Sequence, residues 1–91
     1  MLSQRIHELR TAKNISQVEL AKALGVTKQS VSNWENDNIQ PSIEILIKLA
    51  RFFGVTTDYL LALDDRRFLE VGELSPEKIS HLRQIILDMQ A

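Results

Sequence analysis

Composition and charge place the chain among ordinary globular proteins. Of its 91 residues, 44% are hydrophobic and 25% are charged, which is typical of one domain and argues against a disordered or collagen-like chain. Cysteine is absent, which excludes disulfide bonds, thiolate metal sites and cysteine nucleophiles. The formal net charge is −1, with a slight basic excess in residues 1–35 and a slight acidic excess in residues 64–91. Charge alone is therefore poor support for nucleic-acid binding.

The N-terminal residues do not resemble a targeting signal, because polar side chains interrupt them before an apolar run can develop. The longest purely apolar stretch, residues 59–63, is far shorter than a membrane-spanning helix requires. We therefore expect a soluble intracellular chain that does not bind a membrane.

Two helices are predicted in the first part of the chain. Apolar residues recur at three- and four-residue spacing over residues 2–9, which predicts a first helix that ends near Asn14. Ser16 and Glu19 have the spacing of a capping box and begin a second helix. Gly25 ends it, since glycine readily adopts the left-handed conformation of a helix C-terminus.

Three more helices follow. Thr27 caps a third helix over about residues 28–35, and a loop separates it from a fourth helix capped by Ser42. Gly54 ends the fourth helix, and Thr56 begins a short fifth one.

The C-terminal part has a different pattern. The stretch around Phe68 is predicted to be extended or irregular, and the sequence Ser75-Pro76-Glu77 is typical of the start of a last helix. The whole chain is therefore predicted to be all-α, with six helices.

The second and third predicted helices have the pattern of a helix-turn-helix. Gly25-Val26-Thr27 forms a sharp turn between them, and the small residue Ala21 lies where the helices must cross closely. The apolar positions of this unit are Leu20, Leu24, Val26, Val31 and Trp34.

Residues Ile6 to Leu63 resemble the phage-repressor-like helix-turn-helix family, also called the xenobiotic-response-element or Cro/repressor type. The segment SQVELAKALGVTKQSVSNWE and the LIKLARFFGV segment behind it carry the likeness. The resemblance implies a five-helix DNA-binding domain in residues 1–65 that binds operators as a dimer. Residues 66–91 form a C-terminal extension outside it.

One side of the third helix is suited to read bases in the major groove of DNA. At 100° per residue, Val31 and Trp34 mark its buried side, and four polar side chains point away from them. Amides pair with adenine, lysine donates to guanine, and serine is adaptable. With the resemblance, the predicted base contacts are Lys28, Gln29, Ser32 and Asn33. The alternative is a solvated face without a function.

The resemblance also implies contacts with the DNA backbone. Gln17 matches the family position that binds a phosphate, and the loop after the third helix lies against the backbone in this family. The predicted backbone residues are Gln17, Thr27, Ser30, Asn36, Asn38, Gln40 and Ser42. This loop departs from better-known relatives because it carries Asp37 and no lysine or arginine. We therefore expect weak nonspecific binding with a shallow salt dependence.

The resemblance further implies an ion pair between Arg10 and Glu35 that orients the third helix. The alternative is two unrelated surface charges. Trp34 is expected in the core rather than stacked on bases.

Catalytic and metal-binding arrangements are not recognisable. His7 and His81 do not have metal-ligand spacing, and we expect both to be ordinary surface residues. The three glycines are too widely separated for a phosphate-binding loop, and no Ser-His-Asp triad can be traced. We expect neither enzymatic activity nor a metal or cofactor.

The last predicted helix has an apolar stripe that needs a partner. We expect it to form a homodimer interface, because an isologous contact buries the same stripe twice. The predicted interface residues are Phe68, Ile79, Leu82, Ile85, Ile86 and Met89. The alternative is that this helix folds back on its own domain.

Together these observations predict a sequence-specific transcriptional regulator, a repressor that binds a near-palindromic operator in double-stranded DNA as a homodimer. The resemblance implies a cytoplasmic, nucleoid-associated protein of a bacterium or phage. The rival hypothesis is a protein-interaction module, such as an antitoxin or an antirepressor partner, which the net charge favours.

Overall fold

Six α-helices form the regular structure in a computed structural model, which describes residues 2–90. No β-strand occurs in this range, and the all-α prediction is confirmed. The helices are α1 (Leu2–Ala12), α2 (Gln17–Leu24), α3 (Lys28–Glu35), α4 (Ile43–Phe53), α5 (Thr57–Leu60) and α6 (Pro76–Gln90).

Helices α2 to α5 begin at the predicted caps. The side-chain oxygens of Ser16, Thr27, Ser42 and Thr56 each accept a hydrogen bond from a backbone N–H in the first turn of the following helix. Ser16 and Glu19 complete a reciprocal capping box. These bonds satisfy N–H groups that have no acceptor within the helix, and so they fix where each helix starts.

Two glycines end α2 and α4. Gly25 and Gly54 have φ angles of 72° and 66°, the left-handed region that glycine adopts without a steric penalty. The space around an added Cβ is empty at both positions, so the requirement is conformational rather than steric. The turn that begins at Gly25 leads into α3, which packs against α2.

The buried core lies entirely in the first five helices. We call residues 2–65 the five-helix body; within it, α3 packs against α1 and α2, and α5 packs against α1 and α4. Trp34 is 6% exposed, which confirms that it belongs to the core. The other buried hydrophobic residues are Ile6, Leu20, Ala21, Leu24, Val31, Leu49, Ala50, Tyr59 and Leu60.

The C-terminal arm, defined as residues 66–90, projects from the five-helix body. It consists of an irregular connector and α6, and α6 has no buried residue and packs closely against none of the other five helices. The chain measures 44 × 23 × 23 Å, and its radius of gyration of 15.2 Å exceeds the roughly 12 Å of a compact chain of this length. The last helix therefore does not fold back on its own domain.

Arg5 joins the end of the five-helix body to α1. Its guanidinium lies 4.0 Å from the centre of the Tyr59 ring and donates to the Tyr59 carbonyl oxygen at 2.9 Å and to Asp65 Oδ1 at 2.6 Å. Next to it, hydrogen bonds from Arg66 lower the pKa of Asp64 to about 2. These contacts hold the chain where it leaves the body. Within residues 2–90, no helix is long and apolar enough to cross a membrane.

Candidate nucleic-acid interface

Helix α3 presents a polar side opposite its anchoring residues. Val31 is fully buried and Trp34 nearly so, and together they fix the helix on α1 and α2. The four predicted base-contacting residues lie on the other sides of the helix. Of these, Lys28 and Gln29 are exposed, and Ser32 and Asn33 are partly exposed.

Gln29 and Asn33 are joined by a hydrogen bond along this face. The Gln29 Nε2 donates to Asn33 Oδ1 at 3.0 Å, one helical turn apart. Within residues 2–90, the remaining Gln29 oxygen and the Asn33 nitrogen have no other partner. The pair therefore offers one acceptor and one donor, the combination that the major-groove edge of adenine requires.

The hydroxyl groups predicted to bind the DNA backbone also cap helices. Thr27 Oγ1 accepts from the Ser30 N–H at 3.1 Å, and Ser42 Oγ accepts from the Ile45 N–H at 3.2 Å. Ser30 Oγ lies 3.0 Å from Thr27 Oγ1, so one of these two hydroxyls donates its proton to the other. Because capping uses only acceptor capacity, a hydroxyl proton remains at the start of each helix to donate to a phosphate.

The loop after α3 is exposed and contains a hydrogen bond to its own acidic residue, Asp37. Asn36, Asn38 and Gln40 are exposed, and Gln40 Nε2 donates to Asp37 Oδ1 at 3.1 Å. Asp37 has a φ of 58°, a left-handed conformation that aspartate adopts more readily than most residues. The loop thus carries exposed amide donors beside one negative charge.

Glu35, at the end of α3, is surrounded by donors. Its side chain is only 5% exposed. Arg10 Nε donates to Glu35 Oε2 at 2.7 Å and Arg10 Nη2 donates to Oε1 at 3.0 Å. Oε1 also lies 2.9 Å from His7 Nδ1 and accepts from Gln17 Nε2 at 3.3 Å. The group links α1, α2 and the C-terminal end of α3.

This network keeps Glu35 charged. Burial by itself raises the pKa of the Glu35 carboxyl, but the hydrogen bonds from Arg10, His7 and Gln17 outweigh burial and lower that pKa below its usual value. The hydrogen bond to Glu35 raises the pKa of Arg10. Arg10 also donates from Nη1 to the Ile15 carbonyl oxygen at 2.8 Å, so its guanidinium is held from both sides.

Two residues of this network make contacts with Glu35 that the sequence analysis did not predict. His7 is 56% exposed, as a surface residue is, but its contact with Glu35 makes it part of the group, so the expectation of an ordinary surface residue is incomplete. Its position three residues before Arg10, on the same face of α1, is the signal that could have found it. Gln17 donates from its amide to Glu35 Oε1, and its contact with a phosphate stays a prediction.

Five of the six predicted dimer residues, all except Ile85, line an open groove between the connector and α6. This groove has a volume of about 700 Å³. Ile79 and Leu82 are partly buried, whereas Phe68, Ile86 and Met89 are 52%, 40% and 80% exposed. Ile85 is 42% exposed. The arm therefore presents a large apolar surface that the five-helix body does not cover.

Comparison with known proteins agrees with this architecture. The family model described as Helix-turn-helix matches residues 6–60. The HTH-type transcriptional activator BcrR of Enterococcus faecalis is 35% identical over 95 residues, which cover 98% of this chain and 45% of BcrR. The chain thus spans less than half the length of that relative.

Two solved structures are also similar. The P22 c2 repressor in complex with a synthetic operator has a TM-score of 0.64 at 32% identity, covering 66% of this chain and 91% of that one. The SinR protein/SinI protein complex has a TM-score of 0.66 at 30% identity, covering 94% of this chain and 79% of that one. By the family match and this shared architecture, the chain belongs to the phage-repressor-like helix-turn-helix family.

Proposed function

We propose that the protein is a sequence-specific DNA-binding transcriptional regulator, a repressor that occupies a near-palindromic operator. The exposed polar side of α3 is the observation that carries this proposal. Its amide and hydroxyl groups stand on a helix held rigidly by Val31 and Trp34. The likeness to a repressor solved with its operator supports the same reading.

Base recognition is assigned to Lys28, Gln29, Ser32 and Asn33. Backbone contacts come from Gln17, Thr27, Ser30, Asn36, Asn38, Gln40 and Ser42. The network around Glu35 orients α3 for this contact. The Gln17 amide nitrogen carries two N–H donors and uses one on Glu35, so the second can donate to a phosphate. Because the loop carries Asp37 and no cation, sequence-independent affinity is expected to be low and weakly dependent on salt.

We propose that residues 1–65 are the DNA-binding domain and that residues 66–91 hold a homodimer together. The support is the uncovered apolar groove of the C-terminal arm, lined on both sides by residues such as Phe68, Leu82 and Ile86. A second copy that contributes the same surface buries both stripes at once. Such a dimer places two α3 helices about 34 Å apart, one turn of B-DNA, and requires a near-palindromic site.

A second candidate function rests on the same arm. An exposed apolar groove also suits an amphipathic helix from a different protein, and the solved SinR/SinI structure is a complex of two different proteins. In this alternative the chain is a protein-interaction module, such as an antitoxin or antirepressor partner.

Selection of bound sequences from a random DNA pool separates the two functions. The regulator is expected to enrich a palindrome, whereas a protein-interaction module is expected to enrich nothing even at low salt. Placing the enriched site across a promoter then tests repression directly, because transcription is expected to fall when the protein is present.

Point substitutions test the assignment of α3 as the reading helix. Gln29→Ala or Asn33→Ala is expected to cost about 1–3 kcal/mol at the selected site and to relax discrimination at particular base pairs. Gln17→Ala is the matched control, since it is expected to weaken binding to all sequences alike. If the α3 variants lost specific and nonspecific affinity equally, α3 would not be the reader.

A further inference from the structure

The C-terminal arm is attached to the five-helix body at one aromatic side chain. Helix α6 packs closely against none of the other helices, so the direction of the arm depends on contacts that the connector makes with the body. Tyr59, in α5, is 4% exposed and belongs to the body. Two guanidinium groups lie over its ring, one from α1 and one from the connector. We call Arg5, Tyr59, Asp65 and Arg67 the Tyr59 junction.

Arg5 holds the body side of the Tyr59 junction. Its guanidinium lies 4.0 Å from the centre of the Tyr59 ring and makes two directional hydrogen bonds, to the Tyr59 carbonyl oxygen and to Asp65 Oδ1. The Arg5 side chain is only 17% exposed. Because a guanidinium is planar and can stack on a ring while it donates in its own plane, these contacts fix where the chain leaves α5.

Arg67 holds the arm side of the same ring. Its guanidinium carbon lies 5.3 Å from the centre of the Tyr59 ring, within the range of a cation–π contact. Arg67 also borders the groove between the connector and α6, together with Leu82 and Ile86. One side chain thus contacts the body and lies beside the surface that is proposed to bind a second copy.

We propose that Arg5 and Arg67 are positioning residues that, through Tyr59, fix the angle between body and arm and so determine which spacing of half-sites the dimer accepts. This inference rests on the proposed binding of a palindrome through an arm-held homodimer. One extra base pair moves the second half-site by about 3.4 Å and turns it by about 34° around the DNA axis. Bodies held at a fixed angle to their arms fit one spacing, whereas bodies on loose arms fit several.

Arg67→Gln in the full-length chain tests the arm side. Arg67 is exposed, so its loss leaves the buried core unchanged. The protein is titrated with the selected palindrome, with the same palindrome carrying one base pair inserted at its centre, and with a single half-site. The insertion is expected to weaken binding of the unmodified protein about tenfold and of Arg67→Gln only about twofold, because a loose arm still bridges the displaced half-site. Affinity for the single half-site is expected to be unchanged.

Three further variants complete the series. Arg5→Gln removes the guanidinium on the body side and is expected to relax the spacing in the same direction. Arg67→Lys keeps a cation over the ring and is expected to retain most of the tenfold discrimination. Lys78→Gln is the matched control, since it removes one positive charge from exposed α6 and Lys78 forms no salt bridge within residues 2–90. It is expected to keep the full discrimination.

A second measurement needs no DNA. The chain has no cysteine, so Lys48→Cys on α4 and Ser80→Cys on α6, both exposed positions, can each carry one spin label. Pulsed electron paramagnetic resonance then gives the distribution of distances between body and arm, with labelled protein diluted in unlabelled protein so that only pairs within one chain are read. We expect a narrow distribution, and one at least twice as wide when Arg67→Gln is added.

The outcomes are distinct. If Arg67→Gln loses the full tenfold on the inserted site, or if its label distances are as narrow as before, the inference is overturned and the proposed function stands. A weaker affinity of Arg67→Gln for the single half-site places Arg67 on the DNA and also overturns it. If the unmodified protein enriches no palindrome, the proposed function fails and the inference about spacing fails with it.

Discussion

The five-helix body and the C-terminal arm differ in how far their apolar side chains are buried. In the body, every helix places apolar side chains against another helix, and ten hydrophobic residues are buried there. In the arm, α6 has a regular apolar stripe but no buried residue. An amphipathic helix is stable only when its apolar side is covered, so we expect the surface that covers α6 to come from another chain.

The sharpest test of this comparison removes the arm. Truncation after Asp65 keeps the contacts of Arg5 and all buried residues, so the fragment is expected to stay folded. It is expected to be a monomer that binds the selected palindrome about 100-fold more weakly, because its two half-sites are then filled independently. Sedimentation, helical content and a DNA titration check the three expectations.

Either of two results would break the comparison. A fragment that is still a dimer shows that the arm is not the dimerisation element. An unfolded fragment shows that the arm contributes to the core of the body after all.

Equivalent substitutions in the two regions give the next largest difference. Leu49 is fully buried in α4, so Leu49→Ala is expected to cost about 2–5 kcal/mol of the free energy of unfolding. Leu82 is partly exposed on α6, and Leu82→Ala is expected to cost the body less than about 1 kcal/mol. Urea unfolding followed by fluorescence of Trp34, the one tryptophan of the chain, measures the body alone.

Equal costs for the two leucine variants would mean that body and arm unfold as one unit. A low cost for Leu82→Ala together with weaker dimerisation supports the separation. The strength of dimerisation is measured by sedimentation of the same sample.

A smaller effect is expected from Glu35→Gln, which removes the charge at the centre of the donor network. Arg10 then loses its carboxylate partner in a largely buried place, and the expected cost is about 1–3 kcal/mol at pH 7. Folding lowers the pKa of Glu35, so its stabilisation is present above the unfolded pKa of about 4.3 and is lost as the pH falls through the folded value. The difference between the two proteins should therefore shrink on acidification below pH 4.

Asp64→Asn is the matched control for this prediction. The Asp64 carboxyl also has a lowered pKa, because of Arg66, but the Arg66 side chain is 77% exposed. Solvent screens such a pair, so its loss should move the urea midpoint less than Glu35→Gln does. A larger effect for Asp64→Asn would mean that the ion pair between Asp64 and Arg66, where the body meets the arm, stabilises the fold more than the pair at the end of α3.

The sequence was sufficient for features that depend on neighbouring residues. Helix starts at Ser16 and Thr27 follow from hydroxyls that cap the next turn, and the end at Gly25 follows from one backbone conformation. The family likeness pointed to Arg10 and Glu35, which the structure places in contact.

Features that depend on distant residues could not be read in the same way. The contact of Arg5 with Asp65 joins positions 60 residues apart, and nothing in either local pattern indicates the other. The third and fourth donors to Glu35 come from α1 and α2, whose relative placement is set by packing rather than by local pattern. For α6, the stripe predicts that burial is needed but not against which surface.

The smallest prediction concerns the place where the body ends. Ala62 has a φ of 60° just after α5, and its N–H bonds to the Tyr59 carbonyl oxygen in the way that Gly25 closes α2. An alanine in this left-handed region carries a steric cost of about 1–2 kcal/mol, which glycine removes. Glycine also gives the unfolded chain more conformational entropy, and this offsets part of the stabilisation. Ala62→Gly is therefore expected to stabilise the body by about 0.5–1 kcal/mol. Ala23→Gly, at an exposed position in α2, is the control with the opposite sign, since glycine within a helix costs about 0.5–1 kcal/mol. Urea midpoints followed by Trp34 fluorescence compare the two, and a destabilising Ala62→Gly would show that the end of the body is not strained at this residue.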